Sequence, residues 1–445
     1  MPEVDQSVAA EAAAGTSRVA VTLRALRHRN FQLFFSGQLI SLIGTWMQTV
    51  AQSWLVYRLT GSSLLLGTVG FASQVPIFLL APVGGVVADR YNRQRVVIAT
   101  QAASMILALI LAVLTLSKRV TVWEIVILAA SLGVVNAFDI PTRQAFLMDM
   151  VGREDLMNAI ALNSSMFNGA RIIGPAVAGI LVASIGEGWC FFLNGVSYVA
   201  VISGLLMMRL KHVVAASGGD ASHLEYIAEG FRFVRRTSPI WALLLLIALV
   251  SLVASPYSVL MPIFADRVLH GGARGLGILM GATGVGALLG ALTLAMRTGL
   301  RGLGRWVAIS CACFGASLIL FSASRWFWVS VLLLVPVGYS MMLQMSSSNT
   351  LIQAMSPDRL RGRVMSVYSM MFMGMAPLGA LFAGAVADRI GAPLTVALGG
   401  VGCMCGAAIF RRRLPKLRVE VRQLIIAQGM AGGEPPQEMN VRSVP

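Results

Sequence analysis

The chain has 445 residues, 57% hydrophobic and only 12% charged, with a mean hydropathy of +0.77. Soluble domains carry about 25% charged residues, and a chain this apolar would expose adhesive patches in water, so a soluble fold is excluded and a membrane protein is predicted. The net charge of +16 is spread over short gaps between apolar runs, which is a topology signal and argues against nucleic acid as a partner.

Residues 1–30 hold Arg18, Arg24, Arg27, His28 and Arg29 but no apolar core of signal-peptide length. They are read as a cytoplasmic N-terminal segment, with the first span acting as its own targeting signal. A crossing helix needs about 20 apolar residues. Such runs fall near 31–59, 64–88, 96–116, 122–140, 159–185 and 190–208, and again near 240–264, 276–296, 307–323, 326–345, 364–387 and 393–410. The predicted fold class is all-α, a polytopic protein of 12 transmembrane helices in two six-helix bundles, 31–208 and 240–410. A cytoplasmic linker at 209–239 joins them. Within it Leu224, Ile227, Phe231 and Val234 form an apolar stripe at helical spacing, expected to lie along the membrane surface. The tail at 411–445 is expected to be disordered beyond Pro415.

With the N-terminus inside, 27 of the 35 Lys and Arg fall in cytoplasmic segments and only seven in the opposite loops. Both termini are therefore expected in the cytoplasm, with the protein in the plasma membrane. The five cysteines are read as small buried hydrophobes without a disulfide.

The first span carries Gln38, Ser41, Thr45, Gln48 and Gln52 on one helix face. Glutamine is unfavourable against lipid, so this face meets either a wet cavity or another helix. Ser251, Ser255 and Ser258 repeat the pattern in the seventh span, and Ser255 is taken with the first-span residues as a cavity wall. Arg171 is about 15 Å deep in the fifth span at 1.5 Å per residue. An arginine there costs about 2.5–3.5 kcal/mol on insertion scales. Asp139, Glu124, Asp266 and Asp388 all fall near span ends, which leaves the substrate as the candidate anion. A structural arginine bonded to helix carbonyls is the alternative.

Sliding the chain by 205 residues places Gly169, Gly174, Gly179 and Gly186 on Gly374, Gly379, Gly384 and Gly391. Ser164, Met166 and Phe167 land on Ser369, Met371 and Phe372 in the same register. Repeated halves are how many transporters are built, although packing alone would account for the glycines.

The second span ends in Gly85-Val-Val-Ala-Asp89-Arg90-Tyr-Asn92-Arg93-Gln-Arg95, which resembles the signature loop of the major facilitator superfamily. Asn92 replaces the usual glycine and would tolerate the left-handed turn of a tight loop. The segments around Asp139 to Arg143 and around Asp358, Arg361 and Arg363 look like the branch containing the enterobactin exporter and macrolide and drug efflux proteins. The resemblance implies that Gly85, Asp89, Arg90, Arg93, Arg95, Asp139, Arg143, Asp358, Arg361 and Arg363 serve the gates. Asp89 is expected to face the positive N-terminal end of the eleventh helix near 362–366. Gly174, Pro175 and Gly179 resemble the Gly-Pro bend of facilitator-type antiporters, and proline removes a backbone hydrogen bond there.

The implied activity is export of a small organic molecule, a siderophore or amphiphilic drug, by alternating access. A proton gradient is expected to drive it in a monomeric protein. A transporter-shaped sensor or scaffold, or an importer, fits the same features. No phosphate loop, metal-ligand cluster or nucleophile with a base is found, so no cofactor, metal or enzymatic activity is expected.

Overall fold

The computed structural model describes residues 24–208, 223–297 and 299–427, and every regular element among them is helical. After a short turn at Arg24–Arg27, α1 spans Arg29–Thr60, α2 Ser63–Arg90 and α3 Arg93–Leu116. The run Val122–Ile185 divides at Gly152, where φ is 74°, into α4 (122–151) and α5 (153–185). Then follow α6 (Glu187–Leu206), α7 (His223–Arg236), α8 (Ser238–Val268), α9 (Gly272–Ala295), α10 (Leu303–Ala323), α11 (Phe327–Met355), α12 (Asp358–Ile390) and α13 (Ala392–Ala427).

Ten helical runs among the described residues are long and apolar enough to cross a membrane. One of them is the α4–α5 pair, and α1 adds a further helix of 32 residues whose polar line lowers its hydropathy. The division at Gly152 and the inclusion of α1 raise ten to the twelve spans predicted. Several helices outrun their apolar stretch: α4 passes residue 140, and α11 runs to Met355. An apolar run records the thickness of hydrocarbon, about 30 Å, whereas a helix of 30 residues is about 45 Å long.

The 205-residue register reappears in the backbone. Gly152 and Pro357 both break the chain between consecutive spans. Gly186 and Gly391 share positive φ values of 89° and 87°. Gly174 packs on α1 at Trp46 and Met47, and Gly379 packs on α8 at Ser251 and Leu252, which lie 205 residues further on. The two glycines thus meet partners related by the same offset.

Two compact units are present. In the first, the residues up to 208 are joined by Ala265–Gly281, and Gly84 meets the Ala137 carbonyl so closely that no methyl group fits. In the second, α10 and α13 meet glycine to glycine at Gly315 and Gly400, and Gly286 abuts the Val335 carbonyl. Small residues let helix backbones approach in lipid, where dispersion must replace hydrophobic driving force.

Three details depart from expectation. On α7, Val234 is fully buried and Phe231 packs edge-on against Trp241 at 6.0 Å, so this end of the apolar stripe is covered by protein. The Leu224 and Ile227 side chains lie outside the described residues. Helix α13 continues through Pro415 to Ala427 where disorder was expected, because Leu414 and Leu417 bury on its inner face; 428–445 lie outside the described residues. Cys190, Cys311 and Cys403 are buried, but Cys313 and Cys405 are exposed, two steps round a helix from their buried neighbours.

Candidate functional site

The polar line of α1 divides along its length. Gln38, Ser41 and Gln48 are buried, while Thr45 and Gln52 are half-buried. Gln48 Oε1 accepts a hydrogen bond from Asn194 Nδ2 at 2.6 Å, and the Tyr198 hydroxyl reaches Thr45, Asn194 and Ser104. This middle section is an interhelical network with α6. Gln38 is 3% exposed, and its Oε1 has no hydrogen-bond partner among the described residues.

Asp139 is not at a helix end. Because α4 continues to residue 151, its carboxylate is enclosed, 3% exposed. Oδ1 accepts from Thr100 Oγ1 and Gln101 Nε2, both at 2.8 Å, and Oδ2 pairs with Arg143 Nε at 3.1 Å. One helical turn separates Asp139 from Arg143, the spacing at which side chains share a face.

The loop after α2 is organised by Arg93. Its guanidinium donates to Asp149 at 2.9 Å and to the Ala88 carbonyl at 3.1 Å, and Asp89 is 3.9 Å away. Asp89, Arg90 and Arg95 are exposed, and no atom would meet a Cβ built on Gly85 within 4 Å. Asn92 does not adopt the left-handed conformation. With φ −62° it caps α3, its side chain accepting from Arg95 N at 3.1 Å, a role for which asparagine is among the best residues.

In α5, Gly174 and Pro175 are buried and Arg171 is half-buried. A Cβ at Gly179 would lie 3.0 Å from the Gly277 Cα, so the bend sits in a glycine-to-glycine contact with the start of α9. At the Thr60 end of α1, Tyr57 Oη donates to Asp266 Oδ2 at 2.7 Å. Arg267 lies 5.6 Å from the Tyr57 ring centroid and donates to the Gly61 carbonyl at 3.3 Å. Arg58 pairs with Glu187 at 2.8 Å beside it.

Helix α8 is irregular. It passes through π-type turns at Val250–Ala254 and Phe264–Val268 and a 3-10 stretch at Ser255–Leu260. Pro256 and Pro262 remove backbone donors there, and such breaks mark functional points in helices. Ser251 is fully buried and its Oγ has no hydrogen-bond partner among the described residues; Ser255 is half-buried. On α11, Ser340, Gln344 and Ser347 share one buried face. Both amide atoms of Gln344 and the Ser347 hydroxyl have no hydrogen-bond partner among the described residues. Arg363 pairs with Glu229 of α7, and Arg359 reaches the same carboxylate at 3.8 Å. Arg361 is half-buried, and the Asp358 side chain lies outside the described residues.

Sequence reading did not single out Asn194, Tyr198, Asp149, Gln344 or Ser347. The α11 pair was detectable, since 340, 344 and 347 step by four and three as in α1. Asp149 and Asn194 carry no such pattern and emerge only from packing. Among the described residues no group of three or more His, Cys, Asp or Glu could hold a metal ion.

The family model described as transmembrane secretion effector matches residues 20–432. The chain is 28% identical to the staphyloferrin A transporter of Staphylococcus aureus over 88% of its own length and 98% of that protein. It is 27% identical to the multidrug efflux pump Tap of Mycolicibacterium fortuitum, over 84% of this chain and 93% of the pump. With the enterobactin exporter of Shigella boydii it shares 24% identity over 85% and 86% of the two chains. Among solved structures, the nucleoside transporter NupG aligns with a TM-score of 0.70 at 14% identity, over 88% of this chain and 99% of that one. The length matched, the twelve spans and the repeated halves converge: the chain is a multi-pass membrane transporter that belongs to the transmembrane secretion effector family of the major facilitator superfamily.

Proposed function

We propose that this protein exports a small organic molecule of siderophore or amphiphilic drug type by alternating access, driven by the proton gradient. The observation that carries the reading is similarity over more than four fifths of each chain to a staphyloferrin A transporter, a multidrug efflux pump and an enterobactin exporter. The buried polar groups Gln38, Ser251, Gln344 and Ser347, each with an atom lacking a hydrogen-bond partner among the described residues, support it. Each unmade buried hydrogen bond costs about 1–3 kcal/mol, a cost a transporter recovers when water or cargo reaches those groups. In this reading Arg171, with Gln38, Ser41, Gln52 and Ser255, faces the transport path, while Thr45 and Gln48, expected on the same wall, hold α1 against α6; an anionic cargo engages the guanidinium. Asp89, Arg90, Arg93 and Arg95 with Asp139, Arg143, Arg361 and Arg363 are gate charges, and Gly174–Pro175 is the compliant bend. Asp139 is the proposed proton carrier: among the buried carboxylates Asp139, Asp155 and Glu187 it is the least exposed, and Arg143 can release one of its oxygens.

The test is a knockout assayed in parallel for siderophore secretion and antibiotic susceptibility, with efflux measured in inverted vesicles with and without an uncoupler. Uncoupler-sensitive efflux that is lost in Arg171→Gln at normal membrane levels is expected. Binding without efflux would instead identify a transporter-shaped sensor, and unchanged efflux in the variant would remove Arg171 from the path.

A further inference from the structure

A cavity of about 370 Å³ lies in the second unit between the first turns of α10 and the outgoing end of α13. Arg305 of α10 and Arg411 and Arg418 of α13, all three exposed to the surroundings, line it, with Ile309, Leu414 and Pro415 supplying an apolar wall. Residues 411, 414, 415 and 418 form one face of α13, so a single helix carries both arginines and the apolar residues between them. None of the three arginines lies within 4 Å of a carboxylate among the described residues, and Glu420 is the only acid in α10 or α13. Three like charges lining one concavity make a positive potential that attracts an anion.

The surroundings narrow the anion. Ile309 is 50% exposed on the helix surface, so the cavity opens beside an apolar, lipid-facing flank. One turn below, Trp306 stacks under Arg297 at 4.5 Å, and tryptophan concentrates at the headgroup level of membranes. A free phosphate would use the arginines and leave the apolar wall idle. A phospholipid uses both.

We infer that this cavity binds the phosphate headgroup of an anionic phospholipid, with its proximal acyl chain along the exposed Ile309 and Pro415. Basic pockets between spans bind such headgroups, and no residue of this site is among those assigned above to the transport path. It stands whether or not the export reading does.

The probe is phosphatidylglycerol in nanodiscs that otherwise contain phosphatidylcholine, with retained lipid counted by native mass spectrometry after delipidation. Wild-type protein is expected to retain phosphatidylglycerol selectively. Arg305→Gln with Arg411→Gln and Arg418→Gln should lower that retention on the order of 100-fold, since each basic side chain near the surface contributes roughly fivefold. Replacing the same three positions by lysine should restore most of it and reports that the fold is intact. The control triple Arg412→Gln, Arg413→Gln and Lys416→Gln removes equal charge outside the cavity and should leave retention near wild type. Equal loss in the control would overturn the site in favour of diffuse surface attraction. Competition by millimolar inorganic phosphate, without selectivity for phosphatidylglycerol, would overturn the lipid assignment.

Discussion

At the residue scale, two kinds of polar group occupy the helices. Gln48 and Asp139 are held by named partners, Asn194 for one and Thr100, Gln101 and Arg143 for the other. Gln38 and Gln344 are equally enclosed but have unsatisfied atoms. The distinction predicts opposite responses to mutation. Gln344→Leu removes a buried amide whose two polar atoms are unpaired, so it should leave thermal stability unchanged or raise it by about 1–2 kcal/mol. The same change should lower vesicle efflux at least tenfold if the amide serves cargo. A loss of stability in a detergent melt would show that the amide is structural. Glutamine type and spacing were legible in the chain. Which glutamines were satisfied was not, because that depends on what the neighbouring helix presents.

At the scale of elements, the glycines fall into positions that need them and positions that do not. Gly84 of α2 lies against the Ala137 carbonyl of α4, while Gly85, the residue matching the family loop, has open space beside it. Gly84→Val should therefore force α2 away from α4 and destabilise the first unit by about 1–3 kcal/mol. Gly85→Ala should leave the melting temperature unchanged, and any loss of efflux it causes would be a gate effect. Paired melts and efflux rates of the two variants separate the possibilities, and an equal drop in melting temperature would contradict the packing. The loop itself shows why a motif is not a conformation. Asn92 was expected to stand in for a left-handed glycine, yet it caps α3 instead. Likewise α13 crosses Pro415 because Leu414 and Leu417 have a surface to cover, which composition cannot reveal.

For the whole molecule, the asymmetry of Lys and Arg sets a testable topology. Single cysteines introduced at Arg412 and at Arg325, in a background lacking the five native ones, should label from opposite sides of intact cells. The 412 site should react only after permeabilisation. Labelling of both from outside would reverse the orientation. The repeat adds a constraint of its own, since the partners of Gly174 and Gly379 are related by the same 205-residue offset as the glycines.

The chain by itself determined the solvent, the span count and the duplication, because each is written in composition or periodicity along one dimension. Lipid admits few charges and demands helices that satisfy their own backbones, so apolar runs of fixed length are enough to specify them. Only the tertiary structure decided that α4 extends past Asp139 and encloses it, that Arg93 chooses Asp149, and that Arg305 shares a cavity with Arg411 and Arg418. Those choices join residues from 38 to 113 positions apart, from Gln101 with Asp139 to Arg305 with Arg418. No local pattern encodes such pairings, which follow from how the helices pack.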